Sequence, residues 1–377
     1  MPEPIVLFGE TYHHPNILWR TGFLAPDPVV YIEIDGDSTL YVSGLEYRRA
    51  QKQARVKNVA RFDDADFRAR LSGDGELAAF GAVIVARLSA AGVEQVRVDP
   101  EFPVGLARAI EKGDIVVRSE RPLFEDERRA KTDAEAAAIQ RTQHAAQAAV
   151  DGVRAMLAEA DARDGMLYHA GEPLTSGRLI AAIENDLVSR GYGADGTIAA
   201  GGSAAAEPHA SDSGHLPADK GVIIDVFPLS KQSRYYGDIT RTFAVGKPSE
   251  TWQQMYDAVK AAHHTALSML RPGANGRDIH RAACQTLYDR GFGASTQGFE
   301  RERVPAMIHG TGHGVGLDVH EPPRLSDIDV ELRERDVVTI EPGLYSAEEG
   351  SVRLEDTVLV TADGYRNLTD YPMQWKP

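Results

Sequence analysis

The sequence predicts an α+β protein, with a smaller α/β domain over residues 1–125 and a larger domain over 126–377 that carries an internal pseudo-twofold repeat. Three observations predict it. Short strand-like and helix-like stretches alternate up to about residue 125, the signature of an α/β layer. Thr132 and Glu135 then form a capping box that opens a long helix. Beyond it, "SGRLIAAIENDLVSRGYGA" at 176–194 resembles "NGRDIHRAACQTLYDRGFGA" at 275–294.

In the leading part, "VVYIEI" and "STLYVSG" read as strands and "EYRRAQKQAR" as a polar helix. "ELAAFGAVIVARLSAAG" and "VGLARAIEKG" read as helices, with "QVRVD" and "DIVVRS" as strands. This part concentrates no chemically active side chains. A linker is expected at about 122–130. The helix after it places Ile139, Ala146, Val150, Val153 and Leu157 on one face at helical spacing. Each of the two similar stretches follows a longer helix, at 133–160 and 250–270. Each is followed by two strand-like segments joined by a turn, "GVIIDVF…YYGDITRTFAV" and "DVVTIEPGLY…VRLEDTVLV". Both halves therefore read helix, helix, hairpin.

The 377 residues are 42% hydrophobic and 26% charged, ample for a core. A net charge of −15 argues against nucleic acid or an anionic membrane as partner, since both call for basic surface. The single cysteine, Cys284, excludes an intrachain disulfide and reads as core packing. With neither a secretory signal nor an apolar run of about 18 residues, a soluble cytoplasmic protein is expected.

The chemistry is concentrated in the two hairpins. Asp225 and Asp238 lie at equal distances from the first turn, so regular pairing sets them face to face across the strands, with Cβ atoms about 5 Å apart. Glu341 and Glu355 repeat the arrangement around Glu348. Both pairs interrupt apolar strand sequence. Facing carboxylates in a half-buried place repel unless one takes a proton or a cation lies between them. Four of them suit hard or borderline divalent ions.

Between the hairpins, "HGTGHGVGLDVHE" carries His309, His313 and His320. Its glycines make a helix improbable and point to backbone closely approached by something else. In strand geometry His309 and His313 share a face and His320 takes the other. His209, in "AEPHASD", is a further candidate; His263 and His264 read as surface residues of a helix. "GYGADG" matches a dinucleotide glycine pattern but follows a helix, so it reads as a helix end. The sequence has no Walker-type loop, HExxH, GxSxG or paired CxxC.

In their order and spacing, "IIDVF", "GDITRTF", "HGTGHGVGLDVHEPP", "TIEPGLY" and "VRLEDTVLV" resemble the creatinase/prolidase/methionine aminopeptidase superfamily. These are the pita-bread metallopeptidases of family M24, and the likeness is to their Xaa-Pro branch, prolidase and aminopeptidase P. "NILWRTGF" is similar to the family's creatinase-like N-terminal domain. The resemblance implies two divalent ions, Mn²⁺ or else Co²⁺ or Zn²⁺. Asp225 would bind one, His313 and Glu341 the other, and Asp238 and Glu355 both. His209, His309 and His320 would be proton carriers or substrate contacts, and Arg353 would order the site and meet substrate. Glu341 would serve as general base. The substrates would be proline-containing dipeptides or short peptides, and the protein a homodimer.

Two departures stand out. The family's Asp-x-Gly is Asp225-Val226-Phe227 here, and the turn to Asp238 is two residues longer than in common prolidases, so substrate selection is expected to differ. All five ligand positions are present, which disfavours creatinase and a metal-free binding protein on this scaffold. A long leader disfavours methionine aminopeptidase. Prolidase and aminopeptidase P stay open.

Overall fold

The computed structural model describes residues 3–210, 214–302 and 304–377. The chain divides into two compact units, Met1–Arg128 and Arg129–Pro377. The first is built on a six-stranded sheet in the order Asn58–Arg61, Asp37–Val42, Val29–Ile34, Ile5–Gly9, Gln95–Val98, Val116–Ser119. Helices cover it, and separate apolar clusters form on its two faces around Phe80 and Ile84, and around Ile17 and Phe23. Ile5–Gly9 escapes a reading based on alternation because all five of its residues are buried. A strand covered on both faces reads as an unbroken apolar run. Asn58–Arg61 escapes for the opposite reason: it is a short, polar edge strand with no buried residue. The stretch expected as a linker holds a short helix, Glu125–Arg129.

In the second unit the two halves repeat in three dimensions. The first packs helix Asp133–Ala158 against Ser176–Ser189, over a sheet ordered Ile198–Gly201, Gly221–Val226, Ile239–Ala244. The second packs Glu250–Ser268 against Gly276–Asp289, and its sheet contains Gly312–Gly314, Val337–Ile340 and Asp356–Thr361 in the same order. All these neighbours pair antiparallel. The Thr132–Glu135 capping box is formed as read, with Thr132 accepting from the Glu135 N–H and the Glu135 carboxylate accepting from the Thr132 N–H. The halves are stitched where their third strands begin: the Glu355 N–H donates to the Thr240 carbonyl, 3.0 Å. The Arg353 N–H donates to the Thr242 hydroxyl, which donates to the Arg353 carbonyl. Among the described residues, no helix is long and apolar enough to cross a membrane.

His263 departs from expectation. His264 is exposed as read, but His263 is fully buried, on the helix face shared by Tyr256, Val259 and Ala266. Neither ring nitrogen has a hydrogen-bond partner among the described residues, and Nε2 lies 3.7 Å from Asp356 Oδ2. Burial pushes its pKa down to about 4, against the pull of Asp356, with Arg241 and His264 adding to the fall. Between the ordinary value of 6.5 and about 4, the unfolded chain binds a proton that the folded ring refuses. Stability contributed by the neutral ring is therefore complete above pH 6.5 and lost as pH falls through this window. His263→Leu is expected to flatten that part of a plot of urea midpoint against pH; an unchanged slope would mean that the ring is charged or hydrated in the fold.

Candidate metal centre

The five predicted ligand residues come from strand ends that the repeat brings together. Asp225 lies in Gly221–Val226 and Asp238 immediately before Ile239–Ala244. Their pairing corrects the expected geometry, because Asp225 sits opposite Thr240 and not Asp238. The pairing centres between Gln232 and Ser233, as the Leu229–Tyr236 bridge also shows, one residue later than the centre that would set Asp225 opposite Asp238, so the expected register misses by two. Asp238 is the diagonal neighbour of Asp225 on the same face, and the continued register sets Phe227 opposite Asp238. In the second half the expected pairing holds: Ile340 faces Asp356, and the next pair outward is Glu341 with Glu355.

Asp238, His313 and Glu355 present ligand atoms all within 4.8 Å of one another. His313 Nε2 lies 3.4 Å from Glu341 Oε1 and 3.7 Å from Asp238 Oδ2. Asp225 Oδ2 accepts from Arg353 Nη2 at 2.7 Å, while its buried Oδ1 has no hydrogen-bond partner among the described residues. The Thr240 hydroxyl donates to Glu355 Oε2. Burial raises the pKa of Asp238 well above the carboxylate range, and Glu355, Asp225 and Glu341 push it further. Burial and then Glu355 raise Glu341; burial and then Asp225 bring Glu355 to about 8. Four acids thus crowd one place. An orphaned buried oxygen, carboxyls driven to hold protons and hard oxygen donors together fit divalent cations, which would remove the repulsion.

The imidazole fits the same demand. His313 Nδ1 lies 3.1 Å from the Gly314 carbonyl, which can only accept, so Nδ1 carries the proton and Nε2 faces the carboxylates with its lone pair. Burial, helped by the neighbouring His320, brings its pKa to about 3 and keeps it neutral. Glycine makes room for this strand: a Cβ on Gly312 would lie 2.0 Å from the Thr339 carbonyl oxygen, and one on Gly314 2.3 Å from that of Pro322.

The other predicted residues surround this group. His320 does not point away: its ring meets that of His313 edge-on at 4.2 Å, because the strand ends at Gly314 and strand alternation does not reach His320. His209 and His320 are exposed and line the cavity. His309 lines it too, with both nitrogens engaged. Nδ1 donates to the Gly310 carbonyl, and Nε2 accepts from the Tyr345 hydroxyl, 2.7 Å each. Burial lowers its pKa to about 4. Arg353 completes the chain, donating to Tyr345 Oη at 2.9 Å as well as to Asp225. Burial raises the Tyr345 hydroxyl to about 12.

The cavity has a volume of about 510 Å³. Several of its important residues escape the sequence reading. Tyr345 stands inside "TIEPGLY", but nothing in the motif signals its bond to His309. Arg324, exposed on the strand Glu321–Leu325 and paired across the ladder with His313, lines the cavity. Its place after "HEPP" is visible in sequence; its direction is not.

Strand-end carboxylates, gathered with a neutral imidazole around a cavity open to water, make this a metal-dependent hydrolase scaffold. The chain belongs to metallopeptidase family M24, whose pattern residues 137–362 match. It is 32% identical to the Xaa-Pro dipeptidase of Pyrococcus horikoshii, over 94% of this chain and 90% of the relative. It is likewise 32% identical to the Xaa-Pro dipeptidase of Pyrococcus furiosus, over 90% and 86%. The solved prolidase of P. horikoshii OT3 superimposes with a TM-score of 0.80 at 26% identity, covering 99% of this chain and 95% of that one.

A titration follows from the crowding of acids. Mn²⁺ added to metal-stripped protein is expected to release protons, since the cation replaces those held by the raised carboxyls. The release should be larger at pH 7 than at pH 9, because Glu355, with a pKa of about 8, is ionised before the ion arrives at the higher pH. Calorimetry in buffers of different ionisation enthalpy measures it. Equal release at both pH values would mean that Glu355 does not titrate in this range, and no release at either would mean that these carboxyls hold no protons.

Proposed function

We propose that the protein hydrolyses the Xaa-Pro bond of dipeptides or short peptides, in the manner of a prolidase. The observation that carries this reading is the cavity in which Asp238, His313 and Glu355 converge while Arg324, the cross-strand neighbour of His313, lines the same space. A cation there suits the carboxylate terminus of a dipeptide held with its scissile carbonyl over the cluster. The named activity of the Pyrococcus relatives supports the same substrate class.

Asp225, Asp238, His313, Glu341 and Glu355 would hold two divalent ions. Bound ions of this kind polarise a carbonyl and lower the pKa of water towards 7. Glu341 is half-buried at the edge of the cluster, with a raised pKa. That suits a base that takes the proton of the attacking water and returns one to the departing prolyl nitrogen. This nitrogen belongs to a tertiary amide without an N–H, so recognition falls to fit around the ring, and proton delivery is obligatory for it to leave as an amine. His320 and His209, at the rim, are placed to donate to the carbonyl oxygen. His309, Tyr345 and Arg353 form a fixed chain that holds Asp225 in place; with both its nitrogens engaged, His309 is better suited to orienting that chain than to carrying protons. Family resemblance further supports Mn²⁺, a homodimer and a cytoplasmic location.

Metal-stripped protein is expected to be inactive on Ala-Pro and Leu-Pro and to recover with Mn²⁺. Glu355→Ala should lower activity by more than about a hundredfold and reduce bound metal measured by elemental analysis. Arg324→Met should raise KM for dipeptides about tenfold or more, from loss of a charged hydrogen bond, and leave kcat nearly unchanged. Unimpaired hydrolysis by Glu355→Ala would remove the ligand assignment. Faster cleavage of Xaa-Pro-Yaa than of Xaa-Pro, unaffected by Arg324→Met, would indicate an aminopeptidase P.

A further inference from the structure

Asp238 lies at the outer edge of its sheet. It precedes Ile239–Ala244 and sits opposite Phe227, and the ladder continues past that pair, with the Gly237 N–H donating to the Pro228 carbonyl at 3.1 Å. Hydrogen-bonded and non-hydrogen-bonded pairs alternate in an antiparallel ladder, so the Asp238 N–H and carbonyl point away from Phe227, towards the open edge. Among the described residues, no backbone group pairs with the N–H or carbonyl of Asp238. Both are nonetheless satisfied, by one side chain.

Gln143, fully buried on helix Asp133–Ala158, lays its amide along the Asp238 peptide groups. Its Oε1 accepts from the Asp238 N–H at 2.8 Å, and its Nε2 donates to the Asp238 carbonyl at 2.8 Å. The remaining Nε2 proton goes to the Thr369 hydroxyl, 2.8 Å. Thr357, also fully buried, adds a second donor to the Asp238 carbonyl. The preceding residue is glycine for lack of room: a Cβ on Gly237 would lie 2.8–3.0 Å from the backbone of Thr142 and Gln143. The helix thus approaches closely enough for an amide to do the work of a strand neighbour.

We propose that Gln143 is a positioning residue of the metal centre, its amide replacing the absent strand partner and fixing the backbone from which the Asp238 carboxylate reaches the cations. This rests on Asp238 being a metal ligand, as proposed above. An apolar residue of the same size would leave two buried backbone groups unpaired. The nearest relief is a shift of Asp238 itself, at the edge of its sheet. A metal ligand tolerates little displacement, on the order of 0.5 Å.

The test uses the full chain stripped of metal, titrated with Mn²⁺ in a calorimeter, with amide hydrogen exchange of the ion-free protein followed around Asp238. Gln143→Leu is expected to bind Mn²⁺ about 10–100-fold more weakly. It should also lose protection at Asp238 and lower kcat with KM nearly unchanged. Thr369→Val removes only the hydroxyl behind the Gln143 amide; it should move the same readouts less far, and it decides the matter if Gln143→Leu does not fold. Mn²⁺ affinity within about twofold of the unmodified chain, against the larger loss usual for such supports, with protection kept at Asp238 in a folded variant, overturns the proposal. Asp238→Ala separates the two claims: if it binds Mn²⁺ undiminished, the ligand assignment falls; if it alone loses the ion, only the role of Gln143 does.

Discussion

Four carboxylates, Asp225, Asp238, Glu341 and Glu355, occupy one partly buried place, with the Arg353 guanidinium bonded to one of them. Like charges this close cannot all ionise, and burial makes the cost larger. Protons can relieve it, as the raised pKa values of Asp238, Glu341 and Glu355 show. Divalent cations relieve it at neutral pH without discharging the acids. Much of the surrounding architecture serves to hold these groups together despite their repulsion.

That holding is spread over both halves of the repeat. The halves join at Thr240–Glu355 and Thr242–Arg353, so the ligand-bearing strand ends cannot drift apart without breaking buried hydrogen bonds. The glycines around His313 let its strand lie directly against neighbouring carbonyls. Arg241, fully buried, donates to the Glu355 carbonyl and to Asp356, fixing the backbone beside a ligand from behind. Function then follows from asymmetry within the repeat. Glu341 stands directly opposite Glu355, whereas Phe227 fills the equivalent place opposite Asp238. One half supplies an extra acid at the cavity edge, and the other an aromatic wall.

The candidate ligands were legible because acidic residues inside Val- and Ile-rich strands contradict their surroundings, twice, at corresponding places in two similar halves. Arg324 and Tyr345 were not: an arginine on an edge strand and a tyrosine near a turn are ordinary until neighbours give them a direction. His263 was misjudged because a single polar residue on an amphipathic helix does not announce which side of the stripe it occupies. The Asp225–Asp238 pairing failed because nothing in the loop sequence marks where the hairpin turns, and a centre placed one residue too early shifts the partner by two.

By itself the sequence determined the α+β class, the duplicated helix–helix–hairpin order and which acids and histidine belong together, since these are encoded in periodicity, spacing and residue type. Only the tertiary structure decided register, direction and support. It set Asp225 against Thr240, turned His320 towards His313, tied His309 to Tyr345 and brought Gln143 under Asp238. Such relations join residues as many as 95 positions apart. They depend on how strands end and helices approach, and no local pattern in the chain records that.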